Sequence, residues 1–164
     1  MFDENQFRDA LGRFASGVTV VTVSDGNGDV GGLTANAFSS LSLDPPLVLV
    51  CVDQFSKARE FIEAEKAFTV HFLADDQEAV AMAFARRGPG KSEGVDWTLS
   101  ERGTPMLRDY LVALECQLEN QLEGGDHVIV VGRVLEIRIS ETNRAPLTYY
   151  QGQINALMPA KSPD

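Results

Sequence analysis

Residues 110–139 read YLVALECQLENQLEGGDHVIVVGRVLEIRI, and this stretch decides the fold class. In its first half Val112, Leu114, Cys116 and Leu118 alternate with Ala113, Glu115, Gln117 and Glu119, the period-two pattern of a strand with one apolar and one polar face. GGDH interrupts it, and VIVVGRVLEIRI follows as a long β-branched run. Two long strands joined by a short loop predict an antiparallel barrel rather than a doubly wound parallel sheet.

Working outward, the rest of the chain is mainly β with short helices. VTVVTVS at Val18–Ser24 and AFTVHFL near His71 predict strands. Leu47–Asp53, apolar after Pro45 and Pro46, predicts a central strand. Phe7, Leu11 and Phe14 recur at helical spacing, and Asp3 with Gln6 forms a capping-box pattern. SKAREFIEAE predicts a helix capped by Ser56, and DDQEAVAMAFARR another with Asp75 and Glu78 at capping spacing. RRGPGKSEG is a loop by composition. No repeat or low-complexity segment interrupts the 164 residues, so one domain over 1–164 is expected.

Composition narrows the function. A net charge of −10 argues against nucleic acid and against an anionic membrane surface. The opening MFDENQFRDALGRF has no signal-peptide core, and no apolar run reaches membrane-spanning length, so a cytoplasmic protein is expected. His71 and His127, with Cys51 and Cys116 far apart, offer no metal-ligand spacing. Both cysteines sit in apolar runs and read as small buried hydrophobes. His71, between Val70 and Phe72, reads as structural, whereas His127 in GGDH stands where a ligand could reach it.

Gly26, Gly28 and Gly31 spell G-x-G-x-x-G after a strand, with Asp53 downstream. That motif binds pyrophosphate only where a helix begins, and GGLTANAF is a poor helix former. Asp25 and Asp29 would also face the anion, so a glycine-rich hairpin turn is the better reading. A second polar segment, Thr34–Leu41, is more informative. If Leu33–Ser40 is extended, Thr34, Asn36, Phe38 and Ser40 share one face and Ala35, Ala37 and Ser39 the other. Small residues admit a flat ligand, and hydroxyls with backbone amides can hold phosphate, with Lys57, Arg86 and Arg87 as supporting charge. From composition alone a plain polar strand and turn explains the same residues.

GVTVVT at Gly17–Thr22, TANAFSSLSLDPPLVLVCVD at Thr34–Asp53, GVDW at Gly94–Trp97, GDHVIVVGRV at Gly125–Val134 and PLTYYQG at Pro146–Gly152 occur in order. In this the chain resembles the short-chain flavin reductases, the reductase components of two-component flavin-dependent monooxygenases. The resemblance implies an FMN-binding split β-barrel, a homodimer, FMN or FAD as cofactor, and NADH or NADPH as co-substrate. It implies that reduced flavin passes to an oxygenase component.

It also implies flavin contacts at Thr34, Ala35, Asn36, Ala37, Phe38, Ser39, Ser40 and Leu41, at Cys51, Val52 and Asp53, at Ser56 and Lys57, and near Phe84. His127, Tyr149, Tyr150 and Gly152 match positions that meet the nicotinamide nucleotide, His127 being the catalytic candidate. No metal is implied. KSEGVDW is shorter and more polar than usual, and Gln151 stands where the family often has arginine. A flavin-binding electron carrier or storage protein on the same barrel is the alternative. Pyridoxamine-phosphate oxidases share the barrel type, but their basic phosphate cluster is absent here.

Overall fold

The computed structural model describes residues 1–157. Its elements in chain order are α1 (Glu4–Gly12), β1 (Ser16–Gly17), β2 (Thr19–Ser24), β3 (Val30–Ala35), β4 (Phe38–Leu43), β5 (Pro46–Asp53), α2 (Lys57–Glu65), β6 (Ala67–Phe72), α3 (Glu78–Ala85), β7 (Trp97–Leu99), β8 (Pro105–Leu107), β9 (Val112–Gly124), β10 (His127–Ile139), β11 (Leu147–Tyr150) and β12 (Gln153–Ala156). Seven strands form one antiparallel sheet in the order β3-β2-β6-β9-β10-β5-β4. The sheet curls until β3 comes up against β5, and the Cys51 N–H donates to the Ala37 carbonyl at 2.9 Å across the junction. β5, expected at the centre, lies one strand from the edge but is paired on both sides, by β10 and β4.

β9 and β10 are 13 residues each, and Gly125 with Asp126 alone spans the turn between Gly124 and His127. Gly125 sits at φ 74°, the left-handed conformation that two-residue hairpins demand and glycine adopts without strain. The other glycine-rich segment is likewise a hairpin turn. β2 pairs β3 up to Ser24↔Val30, and the Asp25 carboxylate accepts from the Asn27 and Asp29 amides at 2.7 and 3.1 Å. Those two bonds hold the Asp25 carboxyl below its usual range against the opposing effect of burial. No helix follows, so the segment has no dinucleotide-binding geometry.

Two apolar clusters lie on opposite sides of this sheet. Inside the barrel Val21, Val23, Val50, Val52, Phe68, Val70, Cys116 and Val130 pack against Ala58 and Ile62 of α2. The packing is tight at Gly132, where an added Cβ would come within 2.6 Å of the Phe68 ring. Burial pushes the Cys116 thiol up to about 12, with the neighbouring Glu115 carboxylate adding to the shift. Outside, Val18, Val20, Leu73, Ala81, Phe84, Leu107 and Leu147 form a second cluster beneath α3 and β8.

The face of β9 that carries Glu115 is exposed at Gln117 and Glu119 but covered at its start. Ala113 and Glu115 are both buried, covered by the β7–β8 hairpin. Glu115 Oε2 accepts from Ser100 at 2.6 Å and Thr104 at 2.8 Å, and Arg138 stands 3.5 Å from Oε1. Alternation reports which residues share a face, not whether a distant hairpin will cover it. His71 is structural as expected. Its Nδ1–H donates to the Val20 carbonyl and its Nε2 accepts from the Leu107 N–H, both at 3.1 Å, and burial depresses it to about 4.

The α1 capping box forms as read: Asp3 accepts from the Gln6 N–H at 2.8 Å, and Gln6 returns the bond. The other two caps differ. Ser56 occupies the N-cap of α2 but its side chain makes no capping bond. For α3 the N-cap is Gln77, and neither Asp75 nor Glu78 fills that position. The Gln77 side chain instead accepts from the Ala74 amide at 2.9 Å and donates to the Asp109 carbonyl at 3.0 Å, which satisfies buried backbone groups that a short aspartate would not reach. Among the described residues no helix is long and apolar enough to cross a membrane.

Candidate functional site

The Thr34–Leu41 segment does not run as one continuous strand. β3 ends at Ala35, Asn36 and Ala37 cross over, and β4 begins at Phe38, so the expected two-face alternation breaks in the middle. The Thr34 hydroxyl is spent on the Ala81 carbonyl of α3, and Ala35 is buried with its carbonyl accepting from Thr19 at 2.7 Å. Phe38 turns inward and meets the Phe72 ring edge-on, centroids 5.1 Å apart. Asn36, Ala37, Ser39, Ser40 and Leu41 are exposed, a surface of small and polar groups. The Ser39 hydroxyl bonds the Ser40 carbonyl at 2.9 Å.

Beside this surface β5 ends at half-buried Cys51, fully buried Val52 and exposed Asp53. Asp53 builds the turn into α2: its carboxylate accepts from the Phe55 amide at 2.8 Å and its carbonyl from the Ser56 amide at 2.9 Å. Because Ser56 makes no side-chain cap, the first amides of α2 face outward beside a free hydroxyl. Lys57 stands exposed on that first turn, paired with Glu60 at 2.7 Å.

His127 opens β10 directly opposite Asp53 in the register. Far from the Cys51–Lys57 segment in sequence, it is its neighbour in space, and the Gln54 amide donates to the Asp126 carbonyl at 3.1 Å. His127 Nδ1 lies 2.8 Å from the Asp126 carboxylate, and the side chain is 46% exposed. With Nδ1–H directed to Asp126, Nε2 remains open to a ligand. The same bond draws the Asp126 carboxyl below its usual range.

Tyr149, Tyr150 and Gly152 occupy a different place. Tyr149 packs on the outer core, Tyr150 is exposed, and Gln151 and Gly152 form the turn between β11 and β12 at φ 49° and 77°. A cleft of about 430 Å³ opens there, walled by Glu78, Met82, Tyr149, Gly152, Gln153 and Ile154. His127 is not one of its walls. A second cleft of about 390 Å³ lies across Met82 and includes Arg86 and Glu93. Arg86 and Arg87 therefore belong to the far end of α3, while Lys57 alone of the three cations joins the Ser56 group.

Phe84 departs most clearly from expectation. Its ring is 1% exposed within the outer core and cannot stack on a ligand. Its carbonyl accepts from Lys91 at 3.1 Å, and the same ammonium reaches the Gly32 carbonyl at 2.8 Å. Burial lowers the Lys91 ammonium's pKa. The short polar KSEG segment is thus a brace between α3 and β3, a role that composition did not signal. Ser92 extends it to Asp29 at 2.6 Å. Asp126 was likewise passed over, although its adjacency to His127 was visible in GGDH.

Residues 11–158 match the model of the flavin reductase like domain. The chain is 43% identical to a probable flavin reductase of Rhizobium meliloti (strain 1021), over 87% of this chain and about half (46%) of that longer protein. It is 39% identical to the flavin-dependent monooxygenase reductase subunit HsaB of Rhodococcus jostii (strain RHA1), over 98% of this chain and 81% of the other. Among solved structures, Streptomyces globisporus NADH:FAD oxidoreductase SgcE6, in complex with NAD and FAD fragments, superposes with a TM-score of 0.90. It is 35% identical and covers 98% of this chain and 96% of its own.

Proposed function

This chain belongs to the flavin reductase like domain family, and on that premise we propose how its split barrel carries out NAD(P)H-dependent flavin reduction and supplies reduced flavin to an oxygenase component. The observation that carries the assignment of residues is the convergence of Asn36–Phe38, Cys51–Lys57 and His127 on one end of β5 and β10, with Ser39–Leu41 running away from it along β5.

The donor set fits a flavin. Asn36 in the crossover and Ser39 and Ser40 on exposed β4 offer polar groups, Ala37 leaves room for a flat ring, and the uncapped first turn of α2 with Ser56 and Lys57 suits phosphate. Thr34, Ala35, Val52 and Phe84 act behind this surface, holding it in place rather than touching the ligand. When bound, flavin supplies the hydride-accepting ring. The protein's own part is orientation: His127, held by Asp126, presents Nε2 to the nicotinamide end, so that two flat rings meet in one pose. Tyr149, Tyr150 and Gly152 receive the remainder of the nucleotide at the Met82 cleft.

The reading further takes residues 1–164 as one domain, the working form as a homodimer and the location as cytoplasmic. The seven-stranded sheet spanning β2 to β10 supports the first, and a wide exposure of Leu41, Leu43, Leu135, Ile137 and Ile139 supports the second. The test follows loss of nicotinamide absorbance from NADH and NADPH with FMN and FAD added in turn. Oxidation that requires added flavin is expected. Protein that binds flavin but leaves both nucleotides intact would instead be a carrier.

A further inference from the structure

The cleft beside the β11–β12 turn has a single acidic wall and no basic one. Met82, Tyr149 and Ile154 give it apolar and aromatic sides, Gly152 and Gln153 are neutral, and Glu78 is the acid. Its volume of about 430 Å³ lies within the roughly 300–1,000 Å³ of small-molecule sites. Glu78 is exposed in the first turn of α3, where the helix dipole favours an acidic side chain. Cations in this part of the molecule are committed elsewhere. Arg144 is bonded to Asp76 and Asp109 at 3.0 and 2.5 Å, and Arg13, next to the Gly12 that meets Gln151, to Asp9 at 3.3 Å. Arg86 stands at the opposite end of α3, about 12 Å of helix rise away, and lines the other cleft across Met82.

We propose that Glu78 selects NADH over NADPH: its carboxylate accepts a hydrogen bond from the adenosine ribose 2′-hydroxyl in this cleft and repels a 2′-phosphate at the same place. The proposal rests on the reading that seats the nucleotide here, and it names the residue that discriminates within it. Met82, Tyr149 and Ile154 offer the surface that a purine base needs, and the ribose then falls to the polar wall. In dinucleotide sites a carboxylate takes the ribose 2′-hydroxyl, whereas an arginine admits the 2′-phosphate. A phosphate monoester carries about −1.5 to −2 at neutral pH. Among the described residues no cation walls this cleft to meet that charge, and the net −10 of the chain adds to the repulsion. A hydroxyl instead gains a charge-assisted bond.

The test uses ADP-ribose and 2′-phospho-ADP-ribose, which carry the discriminating ribose without the nicotinamide and so report binding with no hydride transfer. Titrated calorimetrically into the full chain with flavin present, ADP-ribose should bind the parent about tenfold or more tighter than its 2′-phosphate. In E78K that ratio should fall to about one or reverse, and in E78Q, which keeps an acceptor without the charge, it should lie between. The ratio of kcat/KM for NADH against NADPH should move in the same direction. E93K makes the same change of charge in the neighbouring cleft and should leave the ratio within about twofold, which separates a contact from net charge. Glu78 is exposed, so each variant should fold, as far-UV circular dichroism would verify; if E78K does not, E78Q decides by the same ratio. A parent that binds both probes alike, or neither, overturns the proposal. So does an E78K variant that keeps the parent's ratio, or an E93K variant that loses it equally. If neither nucleotide is oxidised when flavin is added, the reductase reading fails, and the titration still decides the role of Glu78 by itself.

Discussion

At residue scale the decisive question is which polar groups are free. Thr34 looked available in the sequence, but its hydroxyl is committed to α3; Ser56 looked like a cap, but its hydroxyl is uncommitted. Such differences turn on partners tens of residues away, which local pattern does not encode. Ser56→Ala should therefore cost under about 0.5 kcal/mol, below the ~1 kcal/mol typical of a lost cap. It should weaken flavin several-fold, roughly the 1 kcal/mol of one hydrogen bond. Thermal melting and a flavin titration on the same variant check the two halves. His127→Ala should lower kcat/KM for NADH by about one to two decades, as loss of a bond to a charged group would, with the melting temperature little changed. Because His127 adjoins the Cys51–Lys57 segment, flavin affinity should be measured alongside; an equal loss there would contradict an orienting role toward the nucleotide.

At the scale of elements, the β7–β8 hairpin is clipped to the barrel by polar bonds as well as by the buried β8 side chains Met106 and Leu107. Thr22 donates to the Pro105 carbonyl at 2.5 Å, His71 accepts from Leu107, Glu115 receives Ser100 and Thr104, and Arg102 reaches Glu136 at 3.5 Å. His71 makes this clip sensitive to acid. Its folded pKa, about 4, lies below the ordinary 6.5, so between those values the unfolded chain binds the extra proton. Stability should be steady above pH 6.5 and fall by about 3 kcal/mol as pH drops to about 4. Urea unfolding at neutral pH and near pH 5 should show that slope, and His71→Gln, which keeps a donor and an acceptor without titrating, should flatten it. Element boundaries were largely legible because period-two runs and turn glycines act locally. The burial of Glu115 was not, since the hairpin covering it closes from residues 97–107.

At the scale of the molecule, two long strands and their turn were enough to anticipate an antiparallel barrel, and ordered motifs were enough to anticipate its family. The grouping of site residues was legible only in part. Asn36–Phe38 lies beside the end of β5 that leads into Lys57, and His127 meets the same end by strand register, but Ser40 and Leu41 lie toward the start of β5 and Tyr149–Gly152 opens on a cleft with Met82. A protein that releases reduced flavin works where oxygen turns that product into peroxide, so its own sulfur chemistry matters. Peroxide attacks thiolates that it can reach. Cys116 is 2% exposed, and a thiol raised to about 12 holds almost no thiolate at neutral pH. The barrel interior is thereby built to tolerate the oxidant that its activity generates outside.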